Sequence, residues 1–206
     1  MLPGGHIAFT WATLNLLQRR AGLWPEADYR LVALASLAPD LLDKPLALTL
    51  YRDTQAALFW GHNLWLHLGV WLGAWCVARV RGGAAAERRR RWRSWLPYLL
   101  AFSGHLIADR MWGFRESLFY PLGAGYWHPW AHVGEPQAML AAYLTIVRTT
   151  PLLVIFELLG LILLGWVVCD RQLWRPQRLA YFLRHGRVAG VAGQGEREPC
   201  KALELA

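Results

Sequence analysis

Long apolar stretches, separated by short polar or basic links, dominate the chain and predict helices from end to end. Such stretches are typical of helices that cross a membrane or dip into it. The clearest one, 151–169, would be about 28 Å long as a helix, close to the hydrocarbon thickness of a bilayer. The others are 6–17, 31–50, 56–80, 95–111 and 138–148, the last being either a short interfacial helix or the start of the final one. The pattern predicts an all-α integral membrane helical bundle of about four to five membrane segments.

Two regions interrupt this helical pattern. Pro39 and Pro45 each remove a backbone donor and disfavour helical geometry in the residue before them, so we expect the second helix to break or kink there. A broken helix is tolerated at membrane depth where it lines a cavity. The long stretch 113–137 is rich in Pro, Gly and aromatic residues, and we expect its part up to residue 132 to cover a substrate at the membrane interface.

Charge sets the expected orientation. The chain has 206 residues, 22 of them Lys or Arg, and most of these lie in clusters at 19–20, 88–93 and 171–187. Each cluster borders an apolar stretch, as in membrane proteins whose cytoplasmic loops are rich in Lys and Arg. Nucleic-acid binding is the other interpretation, and it predicts soluble expression and salt-dependent binding. We favour the bilayer as partner, with no nucleic acid.

This interpretation predicts a multi-pass protein with a cytoplasmic C-terminus. Residues 1–183 are expected to form one membrane-embedded domain, and residues 184–206 a basic, then polar, disordered cytoplasmic tail. No positively charged leader precedes the first apolar stretch, so we expect no cleavable signal peptide. The scattered Cys76, Cys169 and Cys200 indicate neither a disulfide framework nor a cysteine zinc site.

The few ionisable residues inside the apolar stretches fall at one depth. His105 and Asp109 are four residues apart, so on a helix they share a face. Counted from the basic ends at the helical rise per residue, the whole set lies about 15 to 26 Å away, in the half of the membrane far from the cytoplasm. The set is His6, Asp40, His62, His67, His105 and Asp109. Buried ionisable groups at membrane depth usually face a partner, a cavity or an ion.

Imidazole and carboxylate together suit a divalent metal, most favourably zinc. A mixed His and Asp shell leaves room for water, which the metal acidifies for hydrolysis. Asp40 or Asp43 would then be a ligand or the general base. The alternative is that these residues form hydrogen bonds that only pack the helices.

Several neighbouring residues have their own alternatives. His62 and His67 are five apart, which splays them by about 140° on a regular helix, so they converge only if His62 precedes the helix. One of them would otherwise orient a ligand through its second ring nitrogen. His128 and His132 fit better in an aromatic belt at the membrane interface. Glu157 fits better as a packing partner.

Four motifs together resemble the YdjM-like family of bacterial inner-membrane proteins, described as membrane-bound metal-dependent hydrolases. They are Gly5-His6-Ile7-Ala8-Phe9-Thr10, Leu37-Ala38-Pro39-Asp40-Leu41-Leu42-Asp43, Gly61-His62 with His67, and Gly104-His105 to Asp109 followed by Phe119-Tyr120-Pro121. More distantly, the succession of motifs is similar to the helical zinc-dependent phospholipase C family. The resemblance implies metal ligation by His6, Asp40, His62, His105 and Asp109.

The chain departs from the family pattern at two places. The family's motif is Pro-Asp-Ile-Asp-His, whereas this chain has Pro39-Asp40-Leu41-Leu42-Asp43-Lys44. The second carboxylate therefore comes one residue later, and Lys44 replaces the histidine. The Arg and Thr usual between the paired histidines are replaced by Asn63-Leu64-Trp65-Leu66. We expect a metal-dependent hydrolase acting on an ester or phosphoester of a lipid or another membrane-proximal substrate. The alternative is a non-catalytic membrane protein, either a metal or proton carrier or a structural subunit.

Overall fold

The computed structural model describes residues 1–51, 53, 56–122, 127 and 136–188, and its regular elements are helical. Two short 3-10 turns, Trp60–His62 and Met111–Gly113, border the functional region. The α-helices are α1 (Pro3–Ala21), α2 (Tyr29–Leu48), α3 (Leu64–Val80), α4 (Ala85–Ala108), α5 (Arg115–Leu118), α6 (Pro136–Thr149), α7 (Pro151–Asp170) and α8 (Pro176–His185). The all-α prediction is confirmed.

Local sequence signals set the helix ends. Pro3 opens α1, where its fixed φ suits the first turn and its missing N–H has no helical partner to lose. Gly22 closes the same helix in the left-handed region at φ 60°, which glycine adopts without a side-chain clash. Asp28 caps α2, because its carboxylate accepts hydrogen bonds from the backbone N–H groups of Arg30 and Leu31. Local signals in the sequence therefore set both ends of α1 and the start of α2.

Four helices pack into the central bundle, in which α1 contacts α2 and α7, and α2 contacts α4. The long helix α3 packs on the outside of α4. A buried apolar cluster that includes Tyr29, Val32, Val167 and Phe182 joins the helices at one end. The other end of α1, α2 and α4 is where the ionisable residues of the apolar stretches lie.

Basic residues gather at the end with the apolar cluster. Arg171 is fully buried and donates hydrogen bonds to Asn15 and Gln18, the latter at 3.0 Å. Arg19 pairs with Asp170 at 2.9 Å, which ties the end of α1 to the end of α7. The two ends of the bundle thus differ, because Arg19 and Arg171 lie at one end and the His and Asp residues of the apolar stretches lie at the other.

Within the described residues, α7 is the one helix long and apolar enough to cross a membrane by length and composition. Many of its Leu and Ile side chains are exposed on the outside of the bundle. The helix α3 is apolar but shorter. The other helices of the bundle carry more polar residues, so composition does not single them out as spans.

Several predicted boundaries are wrong. The stretch 56–80 is not one helix, because its first residues form an irregular segment and a 3-10 turn before α3 starts at Leu64. The basic link 82–93 is mostly helical, since α4 begins at Ala85; arginine is a good helix former. Of the break or kink expected at Pro39 and Pro45, the break does not occur, because α2 is continuous from Tyr29 to Leu48. Tail residues 189–206 lie outside the described ones.

Candidate metal centre

Three separate elements bring four potential metal ligands together. Asp40 comes from the middle of α2, and His62 ends the 3-10 turn before α3. His105 lies in the last turn of α4, and Asp109 is the residue that caps this helix. One ligand atom from each of the four can be chosen so that all lie within 4.8 Å of one another. We call these four residues the metal group.

The distances within the metal group fit a small divalent ion. His62 Nε2 lies 3.1 Å from His105 Nε2, and these atoms lie 3.4 and 3.3 Å from Asp109 Oδ2. Asp40 Oδ1 is 3.7 Å from His62 Nε2. Ligands about 2.0 to 2.1 Å from a tetrahedral zinc ion are roughly 3.3 Å apart. The two imidazoles and Asp109 therefore have the spacing of one face of such a tetrahedron, and Asp40 lies beside this face.

Hydrogen bonds on the far side of each ring fix which nitrogen faces the metal group. His105 Nδ1 lies 2.7 Å from the carbonyl oxygen of Ser36, which can only accept, so Nδ1 carries the proton. His62 Nδ1 lies 2.7 Å from Asp43 Oδ2, a carboxylate that also accepts from Phe59 N–H at 2.6 Å. In the neutral rings, both Nε2 lone pairs then point into the metal group. This is the arrangement that orients metal-binding histidines in proteins.

The arrangement is unfavourable without a further cation. With both rings neutral, two Nε2 lone pairs and two carboxylates face each other inside a largely buried site, and the amino groups of Met1 and Lys44 are the cations that pair with Asp109 and Asp40. Among the described residues, His6 Nε2 and Asp40 Oδ1 are buried atoms that no hydrogen bond reaches. Asp40 Oδ1 forms an ion pair with Lys44 at 3.1 Å and lies 3.7 Å from His62 Nε2. The residues present therefore fit a divalent metal ion.

His6 lies directly beside the metal group, although it is not one of the four. Its ring stacks on that of His105, with centroids 4.0 Å apart and planes 9° from parallel. Its Nε2 is 3.1 Å from Asp109 Oδ1, the oxygen that also pairs with the amino group of Met1. His6 is thus placed either to bind an ion near Asp109 or to orient the Asp109 carboxylate through Nε2.

The structure does not bring His67 into the metal group. Its Nε2 donates to the carbonyl oxygen of Gly61 at 2.9 Å, and its Nδ1 lies 3.2 Å from Ser103 Oγ. Trp71 donates to the same hydroxyl at 2.9 Å. His62 does precede α3, as convergence of the two histidines would require, but His67 instead holds the turn that carries His62.

Asp43 also lies outside the metal group, on the far side of the His62 ring. The carboxylate is fully buried and accepts hydrogen bonds from Phe59 N–H, Gly61 N–H and His62. It thereby fixes the backbone of the turn and the orientation of the ring together. Its contacts suit a positioning role.

Two structural supports carry little signal in the sequence. Gly61 lies against α2 so closely that a Cβ atom would be 2.3 Å from the carbonyl oxygen of Pro39. The Ser36 carbonyl oxygen that orients His105 is a backbone atom, which no residue type reveals. The Gly-His pair of the turn was the available signal for Gly61.

The remaining candidates lie elsewhere. Glu157 on α7 accepts a hydrogen bond from Leu2 N–H at 2.8 Å, at the start of α1, where a negative charge favours a helix N-terminus. His128 and His132 lie outside the described residues. A cavity of about 920 Å³ opens onto the metal group and is lined there by His6, Asp40, His105 and Asp109. A ligand in this cavity would have direct access to the group.

Comparisons with known proteins agree with the motifs. Searches of curated proteins and of solved structures returned no match. The sequence matches the family described as YdjM inner membrane protein over residues 1–174, which includes all four residues of the metal group. Because the match covers most of the 206 residues, the chain belongs to the family of YdjM inner membrane proteins, which implies a membrane location.

Proposed function

We propose that this protein is a membrane-bound hydrolase that depends on a divalent metal ion, with zinc the ion that its donors fit best. The observation that carries the proposal is a group of two imidazoles and two carboxylates, with pre-oriented Nε2 atoms, at the wall of a large cavity. Nitrogen and oxygen ligands without thiolate are typical of zinc hydrolases. The substrate is an ester or phosphoester of a lipid or of another membrane-proximal molecule.

The residues of the site divide into ligands and supports. His62, His105 and Asp109 would hold the ion and leave its fourth position to water, and His6 is able to reach an ion near Asp109. When bound, the ion supplies Lewis acidity to the scissile group and lowers the pKa of water. Asp40 lines the cavity and is the proton acceptor of the reaction.

Two further residues assist. Lys44 lies 3.1 Å from Asp40 Oδ1, lines the same cavity and supplies positive charge for an anionic substrate group. Asp43 does not line the cavity in the described structure, so we assign it the positioning of His62 rather than the role of base.

We also propose a multi-pass topology with the metal group towards the outer face. The helix α7 packs along α1, and α1, α2 and α4 pack side by side, so a span by α7 favours spans by its neighbours. Arg19 and Arg171 lie at one end of the bundle, the end that the preference for cytoplasmic Lys and Arg places inside. The metal group lies at the other end.

The test is hydrolysis by purified protein in detergent with zinc added. Nitrophenyl esters of fatty acids and bis(nitrophenyl) phosphate are the substrates, and His105→Ala is compared with wild type. The matched control is His185→Ala, because His185 is exposed on α8, away from the metal group. We expect the rate to fall to background in His105→Ala alone. An unchanged rate in His105→Ala refutes the proposal, and stoichiometric zinc without hydrolysis favours a non-catalytic metal-binding membrane protein.

A further inference from the structure

The cavity at the metal group continues as a groove between α1 and α4. From α1 it is lined by Phe9, Thr10, Thr13, Leu14 and Leu17, and from α4 by Pro97, Leu100, Ala101 and Gly104. Their spacings of one, three and four residues place each set on a single helix face. Val32 of α2 forms part of the wall as well. We call this part of the cavity the α1–α4 groove.

The cavity changes character along its length. Its charged lining residues in the described structure, Asp40, Lys44, Asp109 and Arg110, all lie at the metal-group end. The walls of the α1–α4 groove are apolar except for the hydroxyls of two threonines, Thr10 and Thr13. With a divalent ion bound, the metal-group end would suit an anionic polar group, and the other end suits hydrocarbon.

The length of the groove fits one leaflet of a bilayer. From His6 to Leu17 the rise along α1 is about 16 Å. Half the hydrocarbon thickness of a bilayer is about 15 Å. The groove is thus about as long as the space that one lipid chain occupies in a leaflet.

We propose that the substrate is a lipid with an extended hydrocarbon chain, which lies in the α1–α4 groove while its anionic ester headgroup meets the metal group. The contact between the headgroup and the metal group rests on the proposed function, whereas binding of the hydrocarbon chain requires no catalysis. Lys44 and Arg110 provide positive charge where the headgroup lies. The groove acts as the specificity element, since each methylene buried there adds to affinity.

A photoreactive palmitic acid with a diazirine in mid-chain tests the inference on full-length protein in detergent. Its carboxylate stands for the anionic headgroup, and labelled peptides are identified by mass spectrometry. We expect labelling to concentrate on α1 residues 9–17 and α4 residues 97–104. Unlabelled palmitic acid should compete, and octanoic acid should compete much less.

Blocking the groove gives the critical comparison. A Cβ at Gly104 would meet no atom within 4 Å, so Gly104→Leu extends into open groove. Gly73 on the exposed side of α3 also has no neighbour within 4 Å, so Gly73→Leu is the matched control. We expect Gly104→Leu to reduce groove labelling about tenfold, equivalent to about two buried methylenes, and Gly73→Leu to leave it unchanged. Thr13→Trp is a second plug, at an exposed position, if Gly104→Leu fails size-exclusion analysis.

The outcomes separate this inference from the proposed function. His105→Ala should lose metal and hydrolysis but keep the groove labelling. Labelling spread over the outward faces of α3 and α7, or unaffected by both plugs, overturns the inference even if the protein is an active hydrolase. Labelling that follows the groove in a protein without hydrolysis supports chain binding and contradicts the proposed function alone.

Discussion

Replacing Gly61 by alanine should disrupt metal binding without touching a ligand. A Cβ at this position would lie 2.3 Å from the carbonyl oxygen of Pro39 and 2.8 Å from its Cα. Ordinary contacts begin near 3.4 Å, so the turn and α2 must separate by about 1 Å. His62 is the next residue, and metal–ligand distances tolerate deviations of only about 0.2 Å. We expect zinc affinity to fall at least 10- to 100-fold, the cost typical of losing a ligand's support.

The assay is zinc affinity by competition with a chromophoric chelator in detergent. Gly73→Ala is the control, because its Cβ would meet open space on a helix. Overpacking at Gly61 is expected to cost about 1 to 3 kcal/mol of stability, so circular dichroism must show that the variant is folded at the assay temperature. If Gly61→Ala is folded and binds zinc as tightly as wild type, the close packing of Gly61 against Pro39 does not position His62.

Three further results are expected. Asp43→Asn should lower zinc affinity about 10- to 100-fold while zinc still binds, because His62 loses its charged partner but remains a ligand; chelator competition measures this. Asp28→Ala should lose about 1 kcal/mol of thermal stability through the lost helix cap. The hydrogen bond from Arg30 lowers the pKa of Asp28 in the folded protein. The stability that Asp28 contributes is therefore fully present above its unfolded pKa of about 3.9 and is lost as pH falls through the lower folded value. Thermal melts of wild type and Asp28→Ala should differ at neutral pH and converge in acid. Zinc at about 100 times its Kd should raise stability by about 2.7 kcal/mol, which excess chelator should abolish in the same melt.

The residues of the metal group could be proposed from sequence because ionisable side chains are costly in apolar stretches. His105 and Asp109 share a helix face by spacing alone, and Asp40 and His62 fell in the same half of the membrane once the basic ends were aligned. The depth of a residue in the membrane, however, does not show which way its side chain points. Asp43 and His67 have the right depth and chemistry, yet they contact the far side of His62 and the turn before it.

Helix boundaries were less predictable from hydrophobicity. Residues 56–60 are as apolar as the helix that follows, so hydrophobicity does not separate them from α3. Its backbone is held by contacts distant in sequence, such as the hydrogen bonds from Phe59 and Gly61 to Asp43. Arginines near the start of α4 were interpreted as a link because of their charge, although their helix propensity is high.

Metal content and ligand environment test the central claim most directly. Wild type, His105→Ala and the control His185→Ala would be purified in detergent, loaded with zinc, desalted and subjected to elemental analysis and X-ray absorption spectroscopy. We expect at least one equivalent of zinc in wild type and control, with nitrogen and oxygen ligands at about 2.0 to 2.2 Å and no sulfur shell at about 2.3 Å. We expect His105→Ala to lose that zinc. A wild type that stays empty after loading, or a His105→Ala protein with unchanged zinc content, would contradict the proposed metal centre.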